Sequence, residues 1–66
     1  MWIVINMAKS EELMSQVRSV LEGEGILVKV RPIYKKVGNK QNYYEIMVLE
    51  SESEEANEIL MDKGLL

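Results

Sequence analysis

A chain of 66 residues with no cysteine and no histidine has no disulfide framework and none of the thiolate or imidazole ligands that zinc and softer metals require. Its formal net charge of -3 disfavours a general nucleic-acid binder, whose affinity comes from neutralising phosphates. Chains this short bury only about 60% of the surface they expose when unfolded; with disulfide staples and such metals excluded, association with another chain is the remaining support.

From Trp2 to Met7 the residues are β-branched or large and apolar, with Asn6 the single polar intruder, and a first strand is predicted. The apolar run has no basic stretch ahead of it and breaks at Asn6, too short for a signal peptide or a membrane span, so a cytoplasmic protein is expected. The period then changes. Leu13, Met14, Val17, Val20 and Leu21 recur at helical spacing, Ser10 is placed to cap the free amides, and Glu11 and Glu12 suit the positive end of the helix dipole. The spacing predicts a helix over Glu11 to Glu24. Gly25 is preferred to Gly23 as its terminator, because a left-handed Gly25 brings Leu21 and Ile26 together as in a Schellman cap.

Ile26, Val28 and Val30 alternate with Leu27, Lys29 and Arg31, the period of a strand with one face in the core, and Pro32 is expected to close that strand at an edge of the sheet. Tyr34 to Asn42 reads as a loop carrying Lys35, Lys36 and Lys40, followed by a third strand over Tyr43 to Leu49. Arg31 opposite Glu45 sets a register in which Val30 faces Ile46 and Val28 faces Val48, so charged and apolar pairs agree. Ser51 with Glu54 forms the pattern of a capping box, Ala56, Ile59 and Leu60 give the inner stripe of a second helix, and Gly64 ends it with Leu65 folding back on Leu60.

One domain over residues 1–66 follows, of the α+β class. The first two strands run parallel through a right-handed crossover and the third is antiparallel to the second, which gives a mixed three-stranded sheet in order 1-3-2. Two helices cover one face, packing on Ile3, Ile5, Ile26, Val28, Val30, Tyr44, Ile46 and Val48. This is a ferredoxin-like βαββα arrangement that stops before its last strand and leaves the edge of the first strand without a neighbour.

The strand and capped helix of WIVINMAKSEEL, the turn of LEGEGILV and the strand-to-helix run of VLESESEEANEIL, in that order and spacing, resemble the small prokaryotic signal-transducing proteins placed near the nitrogen-regulatory PII group. The resemblance spans nearly the whole chain. It implies a regulatory or interaction module, and, since PII proteins oligomerise and touch partners with the loop between their second and third strands, it places Ile33 to Asn42 in the similar position. The chain departs from PII proteins in lacking the closing strand and any run matching their nucleotide-binding residues, so ATP binding is not carried over and no cofactor is expected.

No catalytic constellation emerges. Ser10, Ser15, Ser19, Ser51 and Ser53 lie in helices or at their starts, where capping and surface roles account for them, and the paired Glu11–Glu12 and Glu54–Glu55 fall on a solvated face. The glycines around Glu24 sit at a helix end whose dipole repels phosphate. Two features remain. Lys29, Arg31, Lys35, Lys36 and Lys40 concentrate positive charge near one hairpin, a contact site for a protein partner or a small anionic ligand. The sheet face away from the helices carries Trp2, Val4, Leu27, Tyr43, Met47 and Leu49, and burying a large apolar side chain is worth about 1.5–3 kcal/mol, enough in sum to hold a homodimer together. The expected function is a non-enzymatic interaction module that self-associates and presents the basic hairpin; the alternative is a sensor of a nucleotide or other phosphorylated metabolite bound beside Arg31 and the lysines.

Overall fold

In the computed structural model, which describes residues 1–34 and 42–66, the uncharged run Trp2–Ala8 forms strand β1. Ser10 then turns the chain into helix α1, Glu11–Gly23: its Oγ accepts from the Leu13 amide at 3.1 Å and occupies one of the donors that a helix start leaves free. At the other end Gly25 sits at φ 84°, the Ile26 amide donates to Leu21 O at 3.0 Å and the Gly25 amide to Glu22 O at 3.0 Å. This is the Schellman cap expected at Gly25, and it drives Ile26 into the core at 3% exposure.

Strand β2 spans Lys29–Tyr34 and strand β3 Asn42–Leu49. The second strand therefore starts and ends about three residues later than its apolar alternation suggests. Ile26 belongs to the helix cap, Leu27 and Val28 precede the ladder, and Pro32 lies inside the strand opposite Tyr44 instead of closing it. A proline is tolerated there because β2 is an outer strand. Arg31 does pair with Glu45 and Val30 with Ile46, but Val28 has no partner in the ladder; it packs on the core from the segment ahead of it.

The sheet has the order β1-β3-β2, as the topology argument requires. It is not mixed. Both neighbouring pairs, β1 with β3 and β2 with β3, are antiparallel. The two parallel strands are separated by the third, which reverses direction relative to each.

After β3 the chain takes a short 3-10 turn, Glu50–Glu52, before helix α2, Ser53–Asp62. That turn displaces the expected capping box. The residue at the cap position is Glu52, with no side-chain cap bond, and Ser53 Oγ donates to Glu50 O at 2.9 Å. Gly64 at φ 70° ends α2 as the sequence suggests, with the Leu65 amide donating to Leu60 O at 2.8 Å.

Val17 and Leu21 of α1, Ala56 and Leu60 of α2, and Ile46 and Val48 of β3 share one cluster with Ala8 and Ile26, so both helices pack on the same face of the sheet. Leu13, assigned to the inner stripe by its spacing, is 44% exposed and lies at the margin of α1. The opposite face of the sheet carries no second layer among the described residues.

Candidate functional site

The uncovered face is assembled from rows that run across the three strands. Trp2 stands opposite Leu49; Val4 stands opposite Met47, which on its other side meets Lys29; Met7 stands opposite Glu45, which meets Arg31; and Tyr43 stands opposite Ile33. An apolar end, a charged band and a second apolar end follow one another along the strands.

A bulge in β1 decides which side chains reach this face. The pairing with β3 shifts between Val4 and Asn6, leaving Ile5 without a direct partner. Ile5 packs on the helix-side core, and Asn6, next in the chain, also points that way, donating from Nδ2 to Leu65 O at 3.4 Å. Two successive residues thus turn inward, and the alternation restarts one step later, putting Met7 on the open side with Trp2 and Val4.

Of the residues assigned to self-association, Trp2 is 38% exposed and Val4 45%, while Tyr43 and Leu49 are half-buried in the same face. Met47 differs. It is only 7% exposed although it does not belong to the helix-side cluster, so neighbours on its own face cover it and it forms the floor of the patch. Leu27 is exposed but precedes β2 and is not part of the sheet. Met7, 51% exposed, and Ile33, half-buried, complete the face. Sequence reasoning missed both, Met7 because strict alternation places it inward and Ile33 because the strand was expected to stop at Pro32. The signal that could have exposed the first is Asn6, a polar residue in an apolar strand.

The basic residues separate into two groups. Lys35, Lys36 and Lys40 lie outside the described residues. Lys29 and Arg31 both stand on the open face, and each is engaged there: Lys29 Nζ lies 5.6 Å from the centroid of the Trp2 ring, and Arg31 donates to Glu45 Oε1 from Nε at 2.8 Å and from Nη2 at 2.5 Å. The Arg31 side chain is 64% exposed and that of Glu45 15%, so solvent screens the pair from the Arg31 side and its contribution is about 1 kcal/mol or less. Both cations thereby serve the face itself. Lys29 reaches across β3 toward Trp2, and Arg31 neutralises the acid embedded in the middle strand.

No group of three or more acidic, cysteine or histidine side chains that could hold a metal occurs among the described residues. A shallow depression lies on the solvent side of α1, lined by Glu11, Glu12, Ser15, Gln16 and Ser19, all of them exposed. No helix among the described residues is long and apolar enough to cross a membrane. Comparison with protein-family models, with curated proteins and with solved structures gives no match.

Proposed function

We propose that this chain is a non-enzymatic regulatory and interaction module, a ferredoxin-like βαββα domain akin to the prokaryotic signal-transducing proteins, which self-associates and presents its β2–β3 connection to a partner. The observation that carries the reading is the state of Trp2. A tryptophan and its neighbours Val4 and Met7 remain 38–51% exposed on a sheet face with no covering layer among the described residues, in a domain too small to support itself comfortably. Aromatic and methionine side chains are the usual anchors of interfaces, and Met47 already provides a dry floor beneath them.

Lys35, Lys36 and Lys40 supply the charge that the second half of the proposal needs, since Lys29 and Arg31 have partners on the sheet. The same engagement weighs against Lys29 and Arg31 as ligands of a phosphorylated metabolite. Charge reversal of Lys35, Lys36 and Lys40 to Glu tests this half directly. Loss of partner capture with an unchanged far-ultraviolet spectrum supports the contact role; undiminished capture removes it.

A further inference from the structure

The two outer strands of the sheet are unequally protected. An edge strand exposes a row of backbone donors and acceptors on which another strand can pair, and proteins guard such edges with proline and with charged side chains. β2 carries Lys29, Arg31 and Pro32 within its six residues, whereas the seven residues of β1, Trp2-Ile3-Val4-Ile5-Asn6-Met7-Ala8, include neither a charge nor a proline. Among the described residues no strand pairs with the outer side of β1; what such an edge accepts is a strand, and the apolar side chains along β1 favour one of the same character.

The bulge at Ile5 determines which strand fits. Bulges often blunt an edge, but this one makes β1 complementary to itself. Residues directly opposite one another in an antiparallel pair must point to the same side of the sheet. Trp2, Val4 and Met7 point to the open side; Ile3, Ile5, Asn6 and Ala8 point to the helices. With a two-fold axis between Ile5 and Asn6, Ile3 meets the partner's Ala8, Val4 meets the partner's Met7 and Ile5 meets the partner's Asn6, every pair matched in side. Moving the pairing by one residue sets Val4 against Asn6, and moving it by two sets Val4 against Ile5 or Asn6 against Met7, each an outward residue against an inward one. A strand of strict alternation would allow several sided registers. The extra inward residue leaves one that engages more than three residues of each strand, since the other matched registers, centred on Ile3 or on Met7, pair only three.

We propose that β1 pairs antiparallel with β1 of a second copy about an axis between Ile5 and Asn6, giving a six-stranded sheet of order β2-β3-β1-β1-β3-β2. The pairing joins the two apolar rows into one stripe on the open side and places the helices of both copies on the other. It is isologous and therefore closes at two chains. The competing β1-to-β2 pairing, which would propagate without end, meets Pro32 and two cations. This inference rests on the self-association proposed above and specifies its geometry at the β1 edge, where Val4 and Met7 gain each other as cross-strand neighbours while Trp2 stays on the open side of the joined sheet.

Because the chain has no cysteine, introduced thiols report the register without interference. Chains bearing Val4→Cys and chains bearing Met7→Cys, each at a position 45% and 51% exposed in turn and so tolerant of change, are mixed and oxidised. Directly opposed residues lie about 4.5–5.5 Å apart, within disulfide reach; two copies of position 4 are offset by three residues, roughly 10 Å along the strands, and are not. The expected result is a disulfide-linked dimer in the mixture, with little in either variant alone and little when Val4→Cys is mixed with Leu27→Cys. A dimer of the unaltered chain by light scattering, with no preference for the Val4–Met7 link, overturns the edge pairing and leaves self-association standing. A strictly single-chain mass for the unaltered protein overturns both.

Discussion

Lys29 and Trp2 stand on different outer strands, yet the lysine ammonium lies 5.6 Å from the indole centroid, so the contact bridges the middle strand beside Met47. A cation over an aromatic face at an exposed site is worth about 0.5–1 kcal/mol, and the aliphatic stem of a lysine shields apolar surface as it crosses it. Lys29 is therefore part of the cover over Met47 more than a free charge.

Replacing Lys29 by Ala is expected to lower stability by about 1 kcal/mol and to shift the emission of Trp2, the chain's single tryptophan. Urea unfolding followed by fluorescence measures both. An unchanged emission spectrum would show that the ammonium does not reside over the ring.

The two serines ahead of the helices should behave differently. Ser10→Ala removes the side-chain acceptor of the Leu13 amide and is expected to cost about 1 kcal/mol. Ser51→Ala is expected to stay within about 0.5 kcal/mol of the parent, because the 3-10 turn moves the start of α2 to Ser53 and leaves Ser51 outside the cap. Equal losses from the two substitutions would restore the capping box that the sequence pattern suggests.

Both helices end on a glycine with positive φ, 84° at Gly25 and 70° at Gly64, and an added Cβ meets nothing within 4 Å at either position. The penalty of substitution is consequently one of backbone conformation alone. Gly25→Ala and Gly64→Ala are each expected to destabilise by about 1–2 kcal/mol, and thermal unfolding of the two variants gives the comparison. Gly23→Ala, inside α1 and equally open, is expected to be neutral or slightly stabilising.

Leu21 is fully buried where α1 meets the sheet, and Leu13 on the same helix is 44% exposed. Leu21→Ala should cost about 2–5 kcal/mol, most of what a domain of this size possesses, and leave a chain that is largely unfolded by circular dichroism at ambient temperature. Leu13→Ala should cost roughly 1 kcal/mol or less.

The elements most legible from the sequence were those with local chemistry. Ser10, Gly25 and Gly64 act within a turn or two of their own positions, and each cap forms as its residue type dictates. Strand order was legible because a crossover followed by a hairpin has few economical outcomes, and Arg31 opposite Glu45 fixed the β2–β3 register. What failed depended on competition between elements. Ile26 alternates with Val28 and Val30 as a strand residue would, yet the Schellman cap takes it first, and β2 begins at Lys29. Pro32 stops a central strand but not an outer one. The composition of the open face was read with Met7 and Ile33 missing, because a bulge is a relation between two strands and β1 alone shows only the polar Asn6 at its inward turn.

Self-association through the open side and free edge of β1 is tested most directly by the mass of the chain in solution, measured by sedimentation equilibrium at high micromolar concentration for the parent and for Val4→Lys. A two-chain mass for the parent that falls to one chain when a charge enters β1, with the fold retained, is the result this arrangement requires. A parent that remains a single chain across the concentration range, or a Val4→Lys dimer as tight as the parent's, contradicts it.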